Sequence, residues 1–308
     1  MLHIDINDSI SFMVSKLEYF ADNGFVDLGS LLDQERCEEL YRHLKNNRNW
    51  GKNLFQSEKE FLDEFKGKPF TKINPGKGIQ NLIDQYNLDF IEKNDSVIQI
   101  LNKVLGLNYE IMLSKFVVAV PEKWIPEYVK KRKVKFETNY NQFMKKEYRD
   151  VTYFRGIDYH MDSIDWENQD NQFITMYIYL NKVDKFMSPL NIIKKSHIYG
   201  HSSFPHFIKD YPSEKYLEYS PDNKNFEKFD KQILLGEAGS IFLWTGNTLH
   251  GSTPSLSEKE NFRISLRYLI KKNKNSEALL DKIIKQKTVS STREEIPDYK
   301  EILTKQKL

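Results

Sequence analysis

His160-Met161-Asp162 lies just beyond a strand-like segment, and a spacing of two in extended chain turns both side chains to one face. An imidazole nitrogen beside a carboxylate oxygen makes a metal-binding pair. The same pair also reads as structural or surface polarity, because so short a pattern recurs by chance, as His3-Ile4-Asp5 shows. Downstream, Gly246-Asn247-Thr248-Leu249-His250-Gly251-Ser252 follows the strand candidate Ser240–Trp244. His250 either caps a strand end in a loop or completes a two-His-one-carboxylate set, which leaves three cis positions on Fe(II) for a chelating co-substrate and O2. In Phe262-Arg263-Ile264-Ser265-Leu266-Arg267-Tyr268, period two puts Phe262, Ile264, Leu266 and Tyr268 on one face and Arg263, Ser265 and Arg267 on the other. The polar face is either solvated or the interior of a barrel. In a barrel, Arg263 would grip a carboxylate bidentately with help from a Ser hydroxyl.

The elements that must position these residues come in two styles. Ile10, Val14, Leu17 and Ala21 keep helical spacing, with Asn7 or Asp8 as a cap and Gly24 as a stop. Phe25–Leu28 reads as a short strand, and Asp33 caps a second helix burying Cys37, Leu40, Tyr41 and Leu44. Val97, Ile98, Ile100, Leu101 and Val104 form another helix, ended by Gly106. Strand candidates then dominate: Met112–Val120, Val151–Phe154, Phe173–Leu180, Leu190–Ile193, Ser240–Trp244 and Phe262–Ile270. Ser276–Lys287 reads as a last amphipathic helix. Residues 51–80, 121–150 and 200–230 read as loops and lids. Helices first and short strands later predict an α-flanked β-sandwich or barrel.

Composition removes whole classes of function. The 308 residues include 46 basic and 44 acidic side chains, so there is no global nucleic-acid footprint. One cysteine, Cys37, excludes an internal disulfide framework and any multi-Cys zinc site. Twenty Phe, seventeen Tyr and four Trp supply a real core. No apolar run approaches the roughly 18 residues of a membrane span, and the N-terminus shows no secretory pattern. The expectation is a cytoplasmic, soluble protein with no membrane and no nucleic-acid partner; oligomeric state is not encoded legibly. Lys130-Lys131-Arg132-Lys133-Val134-Lys135 is flanked by Glu122, Glu127 and Glu137, and reads as a solvated lid or as a recruiter of anionic substrate.

Taken together, His160-x-Asp162, His250-Gly251-Ser252 and Phe262-Arg263 resemble the phytanoyl-CoA dioxygenase family of Fe(II)/2-oxoglutarate-dependent oxygenases. The opening Phe20-Ala21-Asp22-Asn23-Gly24-Phe25-Val26, the Asp33-to-Leu44 helix and Val97-to-Gly106 resemble that family too, so the likeness runs from about residue 17 to 270. It implies a mainly β fold with flanking helices, a double-stranded β-helix (a cupin-like jelly roll). One domain would span 1–308: a helical N-terminal region over residues 1–110, a jelly-roll core of about 111–270, and a C-terminal helix and tail over 271–308. It implies that His160, Asp162 and His250 ligate Fe(II), that Arg263 holds the distal carboxylate of 2-oxoglutarate, and that Ser252 assists. Arg267 is the alternative to Arg263 or binds the prime substrate, with Trp124, Tyr128 and Trp166 as substrate-site walls.

The implied reaction uses O2 and converts 2-oxoglutarate to succinate while a C–H bond of a small polar or carboxylated metabolite is oxidised. A carboxylate at Asp162 favours hydroxylation, desaturation or cyclisation over halogenation, since related halogenases have Gly or Ala there. Where the family often has Pro-Gly-Ser-His, this chain has Lys194-Lys195-Ser196-His197, and His197 reads as structural. The competing readings are a non-catalytic jelly-roll binding protein, a cupin-like metal enzyme that does not use 2-oxoglutarate, and a nucleic-acid or acyl-CoA oxygenase of the same superfamily.

Overall fold

The structure, a computed structural model, describes residues 6–66, 73–76, 78–131, 139–165, 172–200, 206–257 and 261–284. Among the described residues, twelve strands form two six-stranded sheets. In chain order they are β1 (Phe25–Ser30), β2 (Glu110–Ala119), β3 (Thr152–Phe154), β4 (Ile157–His160), β5 (Phe173–Tyr179), β6 (Leu190–Ile193), β7 (Phe207–Asp210), β8 (Tyr216–Ser220), β9 (Glu227–Leu234), β10 (Ser240–Thr245), β11 (His250–Ser252) and β12 (Ile264–Lys271). The first sheet runs β1-β10-β5-β12-β2-β3 and the second β4-β11-β6-β9-β8-β7. Every pairing is antiparallel except β2 with β3. The helices are α1 (Ile6–Asn23), α2 (Gln34–Asn46), α3 (Glu58–Phe65), α4 (Asp89–Glu92), α5 (Asp95–Leu105), α6 (Glu127–Lys131) and α7 (Leu279–Ile284). This is the mainly β, helix-flanked jelly roll expected from the sequence.

The first sheet is buried on both faces, and its alternation sorts side chains between two cores. Phe116, Ile178, Leu266 and Tyr268 face the helices and join Phe20, Leu44 and Val104 in the largest apolar cluster. Val117, Tyr177, Tyr179, Phe242 and Trp244 face the second sheet and meet Leu190, Ile192 and Leu234. Each fully buried Leu, Ile or Phe of this kind contributes about 1.5–3 kcal/mol. A smaller cluster of Met161, Ile193, Leu217, Tyr219, Phe229 and Leu249 fastens the β8–β9 end of the second sheet. The charged groups of β12 therefore lie between the sheets, as period two requires.

The helix ends follow local chemistry. The Asp33 carboxylate accepts from the Arg36 N–H at 3.0 Å, and α2 buries Cys37, Leu40, Tyr41 and Leu44. Gly106 ends α5 at φ +77°, where any side chain would be strained and a Cβ would sit 2.5 Å from Ser276 Cβ.

Three segments expected as loops are partly built elements. Within 51–80, α3 starts with a full capping box between Ser57 and Glu60. Within 121–150, Trp124, Ile125, Val129, Tyr140, Phe143 and Met144 are buried in the helix-side core. Two buried bidentate ion pairs fix that region: Arg149 on Glu64 at 2.8 and 2.6 Å, and Arg48 on Asp150 at 2.8 Å through both nitrogens. Within 200–230, β7, β8 and the start of β9 are strands of the second sheet. Of the basic run, only Lys130 and Lys131 fall within the described residues, and Lys130 pairs with Glu127 at 2.7 Å.

Candidate active site

His160 is the last residue of β4 and His250 the first of β11, and the two are direct cross-strand partners in register. Their rings stand 4.3 Å apart. Just past β4, Asp162 opens a 3-10 turn and turns its carboxylate back between them. Asp162 Oδ1 is 3.9 Å from His160 Nε2 and 3.6 Å from His250 Nε2. Among the described residues these three form a cluster whose donor atoms all lie within 4.8 Å of one another.

Each imidazole is held by its other nitrogen. His160 Nδ1 lies 3.0 Å from the Asp158 carbonyl, and His250 Nδ1 lies 3.0 Å from the Thr248 carbonyl. A carbonyl only accepts, so Nδ1 carries the proton in both rings and the Nε2 lone pairs face Asp162. Burial pushes His160 down to about 3, with His250 adding to the effect, and burial likewise lowers His250. Both rings are neutral, which is the form that binds a metal.

Asp162 is 1% exposed, and both of its oxygens are engaged. Its Oδ2 accepts from Trp244 Nε1 at 2.9 Å and from Thr175 Oγ1, and Oδ1 accepts from Arg267 Nη2. Burial would raise this carboxyl, but the Arg267 guanidinium, with the hydrogen bond from Thr175, outweighs it and holds the group well below the usual carboxylate range. Thr175 and Trp244 are register partners on β5 and β10, so one row of the first sheet orients the carboxylate. Neither stands out in the sequence as a site residue. The available signal is Trp244 itself, whose N–H needs a partner when the ring is buried in a strand.

Arg263 is fully buried, and none of its three side-chain nitrogens has a hydrogen-bond partner. Its guanidinium carbon stands 5.7 Å over the Tyr177 ring and 6.0 Å over Tyr179. A buried cation without an anion is costly, and a guanidinium is suited to pair with a carboxylate. Partnerless buried hydroxyls occur on neighbouring strand positions. Ser265 Oγ is two residues along β12, and Thr152 Oγ1 is reached across the sheet, since Val117 pairs with both Ser265 and Thr152. Ser252 Oγ approaches from the other sheet, because Ser252 pairs with Leu190, whose N–H donates to Tyr179 Oη at 3.2 Å. Arg267 lies four residues beyond Arg263 on the same face, about 13 Å along an extended strand, and closes against Asp162. The two arginines thus serve opposite ends of the inter-sheet space.

The other residues singled out in the sequence lie elsewhere. Trp124 packs edge-on against Phe262 at 4.8 Å in the helix-side core, on the face of β12 opposite Arg263. Tyr128 also packs there, and its hydroxyl donates to the Gln56 carbonyl at 2.8 Å. Neither is brought to the cluster, because the chain after Pro121 supplies apolar side chains to that core. Trp166 lies outside the described residues. His197 is 3% exposed and packs against the Gly24 turn, its Nδ1 where a Cβ on residue 24 would have to sit.

The sequence from residue 20 to 265 matches the family model described as phytanoyl-CoA dioxygenase (PhyH). The chain belongs to this family. It is therefore an Fe(II)/2-oxoglutarate-dependent non-heme oxygenase, with iron as its metal, 2-oxoglutarate as co-substrate and O2 as oxidant. Two imidazoles and one carboxylate are the donor set such an iron requires, so the residues present fit the metal. A search of curated protein sequences finds no match.

Among solved structures, the chain is similar to the epimerase SnoN in complex with Fe3+, alpha-ketoglutarate and nogalamycin RO. The TM-score is 0.50 and the identity 10%, over 85% of this chain and 84% of that one. It is also similar to the carbocyclase SnoK from nogalamycin biosynthesis (TM-score 0.45, 9% identity, 84% and 83% covered). A third is the non-heme monooxygenase ThoJ in its apo form (TM-score 0.48, 12% identity, 83% and 76% covered). At such identities the SnoN likeness speaks for the fold. No described helix is long and apolar enough to cross a membrane.

Proposed function

We propose that the chain oxidises a C–H bond of a small polar or carboxylated metabolite, by hydroxylation, desaturation or cyclisation, as 2-oxoglutarate is decarboxylated to succinate. His160, Asp162 and His250 hold the iron, and Arg263, helped by Ser252 and Ser265, holds the distal carboxylate of 2-oxoglutarate. The observation that carries this assignment is the fully buried, partnerless Arg263 in the same inter-sheet space as the His-Asp-His cluster. A binding module without turnover has no evident use for a buried guanidinium together with three convergent metal donors.

When bound, iron chelated by 2-oxoglutarate supplies the O2-derived oxidant for the C–H bond. The protein contributes positioning and exclusion. The Asp158 and Thr248 carbonyls fix the ring tautomers, and Trp244 and Thr175 keep one Asp162 oxygen occupied so that the other faces the imidazoles. Arg263 and the hydroxyls around it set the depth at which a dicarboxylate lies, and Leu190, Ile192, Tyr177 and Trp244 keep water from the walls. Asp162 supports oxidation without halide transfer, because its carboxylate fills the position that a halide would need.

The test is an anaerobic titration of metal-free protein with Fe(II) and then 2-oxoglutarate, following the visible metal-to-ligand charge-transfer band, with His160→Ala alongside. A band that disappears in His160→Ala supports the assignment. Folded, metal-loaded protein that gives no band would sink it.

A further inference from the structure

Arg267 is a cation at the wrong end of the site for the distal carboxylate, and its present partner is the oxygen that a metal would take. Its guanidinium contacts Asp162 Oδ1, the same atom that faces both His Nε2 groups. The Arg267 side chain is only 11% exposed, so it cannot simply turn its charge into water. Lys115, directly opposite it on β2 and 3% exposed, adds a second cation to the same row of the sheet.

The charges between the sheets can be paired off, granted the proposed site. A dication and the 2-oxoglutarate dianion cancel, and Asp162 cancels the charge on Arg263. With these paired, Arg267 has no further buried anion between the sheets among the described residues, and Lys115 opposite it adds positive charge to the row and no negative charge. Asp158, next to the mouth on β4, is exposed and screened by solvent. A dication on Asp162 Oδ1 takes over as counter-ion and frees the guanidinium, and a freed buried cation demands an anion.

We propose that Arg267 is a metal-gated anion grip: tied to Asp162 in the metal-free protein, released when the metal binds, and then clamping a carboxylate or phosphate of the prime substrate beside the iron. The substrate class is therefore a small organic anion, presented with its charged end toward β12. Bidentate geometry makes an arginine suited to either group. This inference rests on the reading of the site as Fe(II)- and 2-oxoglutarate-binding.

The experiment uses the full chain loaded with redox-inert Zn(II) and saturated with 2-oxoglutarate. Calorimetry and tryptophan fluorescence follow the binding of matched probes, Trp244 on Asp162 being a built-in reporter. The probes are straight-chain and aryl carboxylic acids against their primary amides, and phenyl phosphate against phenol. The expected result is about tenfold or greater preference for the anionic member of a pair, corresponding to about 1.4 kcal/mol. The preference should vanish in Arg267→Leu, persist in Arg267→Lys and be absent without metal. Equal binding of acids and amides, or no binding of any anion in the series, overturns the proposal on wild-type protein alone. Anion binding that is as tight without metal overturns the gating. An Arg267→Leu protein that loses 2-oxoglutarate as severely as it loses the acids reassigns the residue to the co-substrate. Failure of the loaded wild type to bind 2-oxoglutarate at all is a different result and refutes the underlying site instead.

Discussion

Arg263→Met should make the protein more stable and unable to use its co-substrate. The wild-type side chain is 0% exposed and none of its nitrogens is hydrogen-bonded, so the protein without 2-oxoglutarate carries the full cost of an unpaired buried charge. Replacing buried ionic groups by apolar ones of similar volume gains about 1–4 kcal/mol. The guanidinium's stacking over Tyr177 and Tyr179 lies near the outer limit of such contacts and offsets about 0.5–1 kcal/mol of that gain. The net expectation is about 0–3.5 kcal/mol, or a rise of up to about 7 °C at about 2 °C per kcal/mol for a chain of this length. Adding 2-oxoglutarate at about 100 times its Kd stabilises the wild type by about 2.7 kcal/mol and leaves Arg263→Met where it was. Thermal unfolding of Zn(II)-loaded protein with and without 2-oxoglutarate reads all four states. The order should therefore cross over: variant above wild type without co-substrate, and the gap closed or reversed with it. If Arg263→Met melts below wild type without 2-oxoglutarate and still responds to it, the claim that this arginine waits unpaired for a carboxylate is wrong.

Two further outcomes follow from the geometry. Gly251→Ala places a Cβ 2.6 Å from the Ile157 carbonyl, prying β11 from β4 between the two histidine partners. A cost of about 1–3 kcal/mol in stability is expected, together with a loss of zinc affinity of about tenfold or more in a chelator competition. Glu64→Gln probes acid sensitivity: hydrogen bonding from Arg149 holds the Glu64 carboxyl below its ordinary value. Its stabilising effect is complete above the unfolded pKa of about 4.3 and disappears as pH falls through the lower folded value. The variant should be less stable near neutrality and lose less on acidification, as read by urea unfolding at stepped pH.

The sheet strands that carry the site were legible because their patterns were strong. Period two in Phe262–Tyr268 separated the core face from the arginine face, and Asp33 and Gly106 marked helix ends by cap and stop chemistry. What escaped was structure whose signal was diluted by charge. In β9, Glu-Lys-Phe-Asp-Lys-Gln-Ile-Leu buries only Phe229 and Leu234, too few apolar positions to stand out as a strand. The Ser57-x-x-Glu60 box was readable, yet it sat among lysines and glycines that signal loop. Trp124 and Tyr128 looked like site walls because aromatic residues in a charged stretch invite that reading, whereas the charged neighbours simply coat a buried turn. The partners of Asp162 come from β5, β10 and β12, and no spacing in one dimension announces a meeting of three strands.

Among the described residues, β4 is the outermost strand of its sheet, with β11 as its one hydrogen-bonded neighbour, and it leads directly into Asp162. Two of the three donors thus hang from a margin that backbone pairing secures on a single side. An ion shared by His160, Asp162 and His250 would act there as a rivet, joining the hem of the sheet to the strand behind it. Metal uptake and the finishing of the sheet then become one event, and amide exchange along Ile157–His160 would slow with occupancy more than exchange in the doubly flanked β5.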